Sequence, residues 1–147
     1  MDIPSKRLRS VTGTASALLA VAIFAASSIP AERLPSHPSF FNSVAHFSEY
    51  LILGALVALT FATPGRRLMT AALIGLIVAS AYGLTDEIHQ FFVVAPGGGH
   101  GRNADLLDWL VDTAGAATGV LATSAVLHRW RASTRRHPDQ TPPPPAE

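Results

Sequence analysis

The sequence predicts an all-α membrane protein, a bundle of about four transmembrane helices with both termini in the cytoplasm. Three observations support this prediction: long intervals lack charged residues, the prolines fall between those intervals, and most basic residues lie on one side of the predicted topology. Only 14% of the 147 residues are charged, against about 25% in soluble domains. The formal net charge of +1 gives no electrostatic basis for nucleic-acid binding.

The predicted helices follow from the intervals without Asp, Glu, Lys or Arg, which measure 22, 16, 18 and 16 residues. A transmembrane helix needs about 20 mostly apolar residues, so the last three must extend into polar flanks. The resulting spans are residues 11–29, 44–62, 68–85 and 106–127. All 11 prolines lie outside them, as expected for a residue that interrupts helices. The alternative for the first span is a cleaved signal peptide, which would leave three spans.

Basic residues predict the orientation, because positively charged flanks stay in the cytoplasm. Nine of the 11 share one side: Lys6, Arg7, Arg9, Arg66, Arg67, Arg129, Arg131, Arg135 and Arg136. Only Arg33 and Arg102 lie on the other side. The sequence thus predicts a cytoplasmic N-terminus at residues 1–10, a transmembrane domain at 11–127 and a disordered, proline-rich cytoplasmic tail at 128–147.

Six of the ten acidic residues gather at the extracytoplasmic ends of three predicted helices. In the fourth span, Asp105, Asp108 and Asp112 are spaced by three or four and share one helix face. Ionisable residues in a membrane face the bundle interior, so we expect a polar pocket near the outer leaflet. Its predicted members are His46, Glu49, Tyr50, Asp86, Glu87, Gln90, Arg102, Asp108 and Asp112.

Small residues lie on the same helix faces, below the polar ones. Close helix packing through small side chains is typical of membranes, and we assign this role to Gly75, Ala79, Gly83, Gly115 and Gly119. Several polar residues also have a purely structural interpretation. Asp105 and Asp108 suit helix capping, and Glu49 suits pairing with His46 on the same helix. The glycine-rich segment before Arg102 suits either an anion-binding loop or a flexible linker.

Three sequence blocks carry a family resemblance. They read AHFSEY at residues 45–50, YGLTDEIHQFF at 82–92, and RNADLLD at 102–108 followed by Asp112 and Gly115. In this order and spacing they resemble the VanZ-like family of small bacterial membrane proteins over about residues 42–119. The family's recurrent positions correspond here to His46, Tyr50, Asp86, Glu87, Gln90, Arg102, Asp108, Asp112 and Gly115.

Two features depart from the family pattern. Asn42 and Ser43 stand where the family often has an Asp-Lys pair, so an ion pair found in relatives is missing. The turn before Arg102, residues 93–101, is longer than is usual in the family, which alters the expected position of that arginine.

The resemblance implies a multi-pass protein of the bacterial cytoplasmic membrane. The family's named member is linked to low-level teicoplanin resistance, so the first hypothesis is a non-enzymatic cell-envelope accessory or resistance protein. Its partners would be the lipid bilayer and a lipid-linked or glycopeptide ligand at the outer leaflet, with no nucleic acid and no cofactor. The resemblance leaves open the ligand, the oligomeric state and whether this member affects glycopeptide susceptibility.

Two alternatives belong to other functional classes. A metal-dependent enzyme acting on a lipid or polyprenyl-phosphate headgroup would use Asp86, Asp108 and Asp112 to hold a divalent cation, with His46 or Glu49 as base. The sequence lacks the HExxH, P-loop and GxSxG motifs, so we favour the non-enzymatic hypothesis over catalysis. A small ion-coupled transporter would use the buried carboxylates as a relay.

Overall fold

The computed structural model of the protein describes residues 5–30, 33, 39–63, 65–93 and 105–135. These residues form four helices and no strand: α1 (Lys6–Ser27), α2 (Ser39–Phe61), α3 (Leu68–Phe92) and α4 (Leu106–Arg135). All four helices are long and apolar enough to cross a membrane. The predicted all-α fold with four membrane-spanning helices is therefore confirmed, whereas the cytoplasmic position of the termini stays a prediction.

The helices extend beyond the charge-free intervals used to predict the spans. α1 starts at Lys6 because Ser5 caps it, its hydroxyl accepting a hydrogen bond from the backbone N–H of Leu8 at 3.2 Å. α2 starts at Ser39, and α3 continues past residue 85 to Phe92. The added turns of α3 contain acidic residues. The helix continues past them because their side chains are buried and hydrogen bonded.

The start of the predicted disordered tail is wrong, because residues 128–135 continue α4. Two arginine contacts explain this extension. The guanidinium of Arg131 donates to the carbonyls of Arg66 and Thr63 in the α2–α3 turn, at 3.3 and 3.5 Å. The segment also contains Ala132 and three arginines, and both residue types favour helix. The rest of the tail, residues 136–147, lies outside the described residues.

The distribution of side chains is the reverse of that in a soluble bundle. Leu18, Ile77 and Leu121 are exposed to 66%, 64% and 68% on the outside of the helices. Polar side chains lie inside instead: Thr12, Ser27, His46, Asp86, Glu87, Gln90 and Asp112. Soluble proteins bury large apolar side chains, whereas a membrane protein presents them to lipid and turns ionisable groups inward. This distribution therefore agrees with a bilayer environment.

The most extensive helix contact is between α2 and α4, which run parallel. A Cβ atom added at Gly115 would overlap the backbone carbonyl of Phe47, and one at Gly119 would overlap that of Leu51. The GxxxG pair of α4 therefore packs directly on the backbone of α2. Such close approach requires the absence of a side chain on one helix.

The small residues of α3 pack in the same way. A Cβ atom added at Gly75 would lie 3.0 Å from the Cβ of Ala58 in α2, and Ala79 is fully buried. From α2, Gly54 faces α4, where an added Cβ would lie 2.6 Å from the carbonyl oxygen of Ala116. These contacts draw α2, α3 and α4 into a tight core, while α1 packs on α2 and α3 and does not contact α4.

The two ends of the bundle differ in chemistry. At one end, the hydroxyls of Thr12 and Thr60 lie 2.9 Å apart, and Arg131 reaches the α2–α3 turn. At the other end, Ser27 of α1 donates to Asp86 of α3 at 2.7 Å. We call these the basic end and the acidic end, because the first includes the arginines around the α2–α3 turn and at the end of α4, and the second the buried carboxylates.

Candidate functional site

The acidic end is built around a contact between α2 and α4. His46 is 6% exposed and Asp112 is fully buried, and the imidazole Nδ1 lies 3.0 Å from the carboxylate Oδ1. The close packing at Gly115, one turn further along α4, brings the two helices near enough for these side chains to meet. When it is ionised, the Asp112 carboxylate can only accept a hydrogen bond, and Nδ1 is then the donor of this bond.

A third ionisable side chain comes from α3. Glu87 is 4% exposed, and single ligand atoms of His46, Glu87 and Asp112 all lie within 4.8 Å of one another. We call these three residues the three-helix cluster, since each belongs to a different helix. Two carboxylates and one imidazole in a buried position form an arrangement that can bind a cation or move a proton.

Glu87 is held in place by its neighbours. The backbone N–H of Asp105 donates to its Oε2 at 2.9 Å, and the side-chain amide of Gln90 lies 3.4 Å from its Oε1. The carboxylate of Asp105 accepts a hydrogen bond from the N–H of Leu107 at 2.8 Å. Asp105 thus has the capping role that its position at the start of α4 predicts, and its backbone also orients Glu87.

Asp86 faces a different neighbour from Glu87, although the two are adjacent in α3. Its Oδ2 accepts hydrogen bonds from the hydroxyl of Ser27 at 2.7 Å and from the amide of Gln90 at 3.0 Å. Asp86 therefore links α3 to α1, whereas Glu87 points toward α4. Gln90 joins both carboxylates, so it connects this link to the three-helix cluster.

Three buried oxygen atoms of the acidic end have no hydrogen-bond partner among the described residues. They are the hydroxyl of Tyr50, Oδ1 of Asp86 and Oδ2 of Asp112, and the three residues are at most 2% exposed. A Cβ atom added at Gly83 would lie 3.2 Å from both Asp112 Oδ2 and Tyr50 Cε1. Glycine therefore leaves the space that these two side chains share. Unpartnered buried oxygens are costly and uncommon in proteins, so these three atoms mark the acidic end as a candidate binding site.

The remaining predicted pocket residues lie around this centre or beyond the described part. Glu49 of α2 and Asp108 of α4 are half-buried. Arg102 and the glycines before it lie outside the described residues, so their predicted place above the pocket is untested. The structure thus brings together His46, Tyr50, Glu87 and Asp112, with Asp86 and Gln90 beside them.

The described residues that lie close enough together to share a metal ion differ from those expected under the enzyme alternative. The sequence suggested Asp86, Asp108 and Asp112, but His46 and Glu87 join Asp112 instead. The reason lies in helix geometry, because adjacent helical residues point about 100° apart and only one of positions 86 and 87 can face α4. Both follow Gly83 at helical spacing, so the sequence alone could not decide between them.

The contribution of α1 to the acidic end was not predicted. Besides the bond from Ser27, the hydroxyl of Ser28 lies 2.9 Å from Nε2 of His89, and the Phe24 ring stacks on that imidazole at 4.2 Å. The hydroxyl of Tyr82 in α3 donates to the carbonyl of Ala20 at 2.6 Å. The available signal was the pair of serines, Ser27 and Ser28, that follows the apolar part of the first span.

Comparison with known proteins gives one family match. A family model described as VanZ/LLP1 matches residues 4–127, a stretch that contains α1, α2, α3 and most of α4. No curated protein and no solved structure matches the chain.

Proposed function

The chain belongs to the VanZ/LLP1 family, and from this premise we propose that it is a cell-envelope accessory protein of the bacterial cytoplasmic membrane that lowers susceptibility to teicoplanin. It would do so by binding a lipid-linked or glycopeptide ligand at the acidic end of the bundle. The observation that carries this proposal is the set of buried oxygens of Tyr50, Asp86 and Asp112 that lack a partner among the described residues.

Electrostatics explains why these groups favour binding. Three buried carboxylates, those of Asp86, Glu87 and Asp112, lie at the acidic end with one buried imidazole. Burying charged groups in a membrane protein is expensive, so such groups are kept where they contact a ligand, an ion or each other. A cationic amine could pair directly with this site, and a phosphate could bind through a divalent ion.

The charge distribution supports an outward-facing site. The basic residues around the α2–α3 turn and the end of α4 lie at the end of the bundle opposite the three-helix cluster. Because Lys and Arg flanks favour the cytoplasm, the acidic end would face the periplasm or the cell exterior. A ligand in the outer leaflet would then reach the cluster without crossing the membrane.

Catalysis on a lipid or polyprenyl-phosphate headgroup is the second candidate. The observation that favours it is the proximity of an imidazole and two carboxylates, all within 4.8 Å. Such a set can hold a metal ion or act as general acid and base. Ligand binding does not require an imidazole next to two carboxylates, whereas acid–base catalysis uses both. Detection of a chemically altered headgroup would favour the enzyme over the binding protein.

The test compares antibiotic susceptibility in one host strain. Cells would carry an empty vector, the wild-type gene, a Glu87→Gln/Asp112→Asn variant, or the control Asp105→Asn at matched membrane abundance. Asparagine caps a helix as well as aspartate does. The control therefore removes the acidic group that precedes α4 and keeps the cap of that helix.

We expect the wild type and the control to raise the inhibitory concentration of teicoplanin more than that of vancomycin, and the double variant to lose this effect. An unchanged inhibitory concentration with every gene would refute the resistance function. Equal protection by the double variant would refute the role of the acidic end in it.

A further inference from the structure

We propose that the three-helix cluster of His46, Glu87 and Asp112 is a binding site for a divalent first-row metal ion of the zinc type. This inference goes beyond the proposed function, which needs no resident metal. It concerns the occupant of the cluster in the resting protein, before any ligand arrives from the envelope.

The distances suit a common ion. Zinc binds imidazole nitrogen and carboxylate oxygen at about 2.0–2.2 Å, which places two ligands of one ion roughly 3–4 Å apart. The separation of His46 Nδ1 and Asp112 Oδ1 is 3.0 Å, and the ligand atoms of all three residues lie within 4.8 Å of one another. Any ligand distance beyond this range involves Glu87, whose carboxylate would move closer when an ion binds. An ion held by both His46 Nδ1 and Asp112 Oδ1 would displace the proton of their hydrogen bond, because metal binding requires the unprotonated nitrogen.

The three ligands are supported by a rigid framework. Each comes from a different helix, and metal sites of helical bundles are commonly built from carboxylates and imidazoles on facing helices. The glycine contacts of α4 with α2 fix the relative positions of His46 and Asp112. The N–H of Asp105 and the amide of Gln90 orient Glu87, as outer-shell hydrogen bonds orient metal ligands.

The charge of the cluster calls for a cation. Two buried carboxylates accompany one imidazole, and the buried Asp86 adds a third carboxylate close by. In the part of the chain that the structure describes, no hydrogen bond or ion pair joins a lysine or arginine to the cluster. A divalent ion would neutralise both carboxylates at a depth where isolated charges are strongly disfavoured.

An independent observation also points to an occupant. Asp112 is fully buried, and while its Oδ1 contacts His46, its Oδ2 has no partner among the described residues. The equally buried Tyr50 hydroxyl has none either. The Tyr50 ring and Asp112 Oδ2 border the same space at Gly83. Asp112 Oδ2 could contact a metal ion bound at the cluster. The Tyr50 hydroxyl could form a hydrogen bond to the remaining ligand of that ion.

The donor set selects the class of metal. Magnesium and calcium prefer oxygen ligands alone, whereas imidazole nitrogen suits zinc and its first-row neighbours. The cluster combines one nitrogen donor with two carboxylates. We therefore expect zinc to bind in preference to magnesium and calcium.

The test uses the full chain, purified in detergent without a polyhistidine tag and stripped with EDTA. Zinc chloride would be titrated by calorimetry, and thermal unfolding would be recorded with zinc, magnesium, calcium or EDTA. The variants are His46→Gln, Glu87→Gln and Asp112→Asn. Their control is His128→Gln, which changes an exposed histidine at the basic end.

We expect the wild type and the control to bind one zinc ion and to unfold at a higher temperature with zinc than with EDTA. Each cluster variant should bind zinc at least about tenfold more weakly, because even outer-shell changes cost 10–100-fold. Absence of stoichiometric zinc binding by the wild type would overturn the proposal, as would equal stabilisation by magnesium or equal weakening of zinc binding in the control.

The wild-type unfolding measurement keeps the proposal testable if a cluster variant does not fold. The result is also separate from that of the susceptibility assay. Zinc binding by a protein that gives no teicoplanin protection would retain the metal site and refute the resistance function. Teicoplanin protection by a protein that binds no zinc would support the resistance function and refute the metal site.

Discussion

The imidazole of His46 and the carboxylate of Asp112 lie 3.0 Å apart although 66 positions separate them in the chain. The contact joins α2 to α4 at the acidic end, and both side chains are buried. Two neighbouring residues of α3 extend this contact: Glu87 completes the cluster, and Asp86 is hydrogen bonded to α1.

This pair should contribute measurably to stability. In a double-mutant cycle of His46→Ala and Asp112→Ala, we expect a coupling free energy of about 0.6–2 kcal/mol, the range of hydrogen bonds between membrane helices. The measurement is reversible unfolding in mixed micelles. A cycle of His46→Ala with Asp105→Ala should show no coupling, since Asp105 accepts its hydrogen bond within α4. Additive effects of the first two changes would contradict the prediction.

A larger side chain at Gly119 should separate α2 from α4. An added Cβ would overlap the Leu51 carbonyl, so we expect Gly119→Leu to lower the free energy of unfolding by about 1–3 kcal/mol or more, as overpacking does. The matched control is Ala122→Leu, because Ala122 is exposed on the same helix. Unfolding in micelles distinguishes the two, and equal stability of both variants would argue against the close α2–α4 contact.

Gly83 should affect ligand binding more than folding. Alanine there would place a Cβ atom 3.2 Å from Asp112 Oδ2 and Tyr50 Cε1, which narrows the space between them. We therefore expect Gly83→Ala to weaken zinc binding and teicoplanin protection. Gly13→Ala is the control, since its Cβ would meet only Thr60, at an ordinary 3.4 Å. Wild-type zinc affinity in Gly83→Ala would place the binding site elsewhere.

α1 should be retained in the mature protein, since the hydroxyl of Ser27 donates a hydrogen bond to the buried carboxylate of Asp86. Intact-mass measurement of the membrane protein should give a chain that includes α1. Ser27→Ala should reduce the free energy of unfolding by about 1.5–3 kcal/mol, the usual contribution of a hydrogen bond to a charged group. Ser10→Ala, at an exposed position of α1, should have little effect. A mass corresponding to removal of α1 would restore the signal-peptide interpretation.

The orientation can be tested directly because the chain has no cysteine. We expect an Arg33→Cys variant to react with a membrane-impermeant maleimide in intact cells, and an Arg129→Cys variant to react only after the membrane is opened. The reverse labelling pattern would place the acidic end in the cytoplasm. It would also remove the argument that the three-helix cluster faces the outer leaflet.

The four helices could be predicted because lipid imposes a simple requirement on each of them, a long apolar segment without proline. Their ends could not, since the last turns of α3 hold Asp86 and Glu87 in buried hydrogen bonds that depend on other helices. The charge-free interval ended at residue 85, whereas the helix ends at Phe92.

The candidate site shows the same division. Spacing along one helix placed Asp112 and Gly115 on a common face, and the structure packs that face against α2. Contacts between helices depend on their relative rotation, which no single helix reveals. Neither the choice of Glu87 over Asp86 as the neighbour of His46 nor the bond from Ser27 could therefore be derived from spacing alone.

The absence of contact between α1 and α4 has a practical consequence. All three residues of the cluster lie on α2, α3 and α4, and α1 adds the Ser27 hydroxyl to the hydrogen bonds beside them. The protein should therefore tolerate being made as two chains divided between α1 and α2, which reassemble in the membrane. Different first helices could then be combined with one constant fragment that contains α2, α3 and α4.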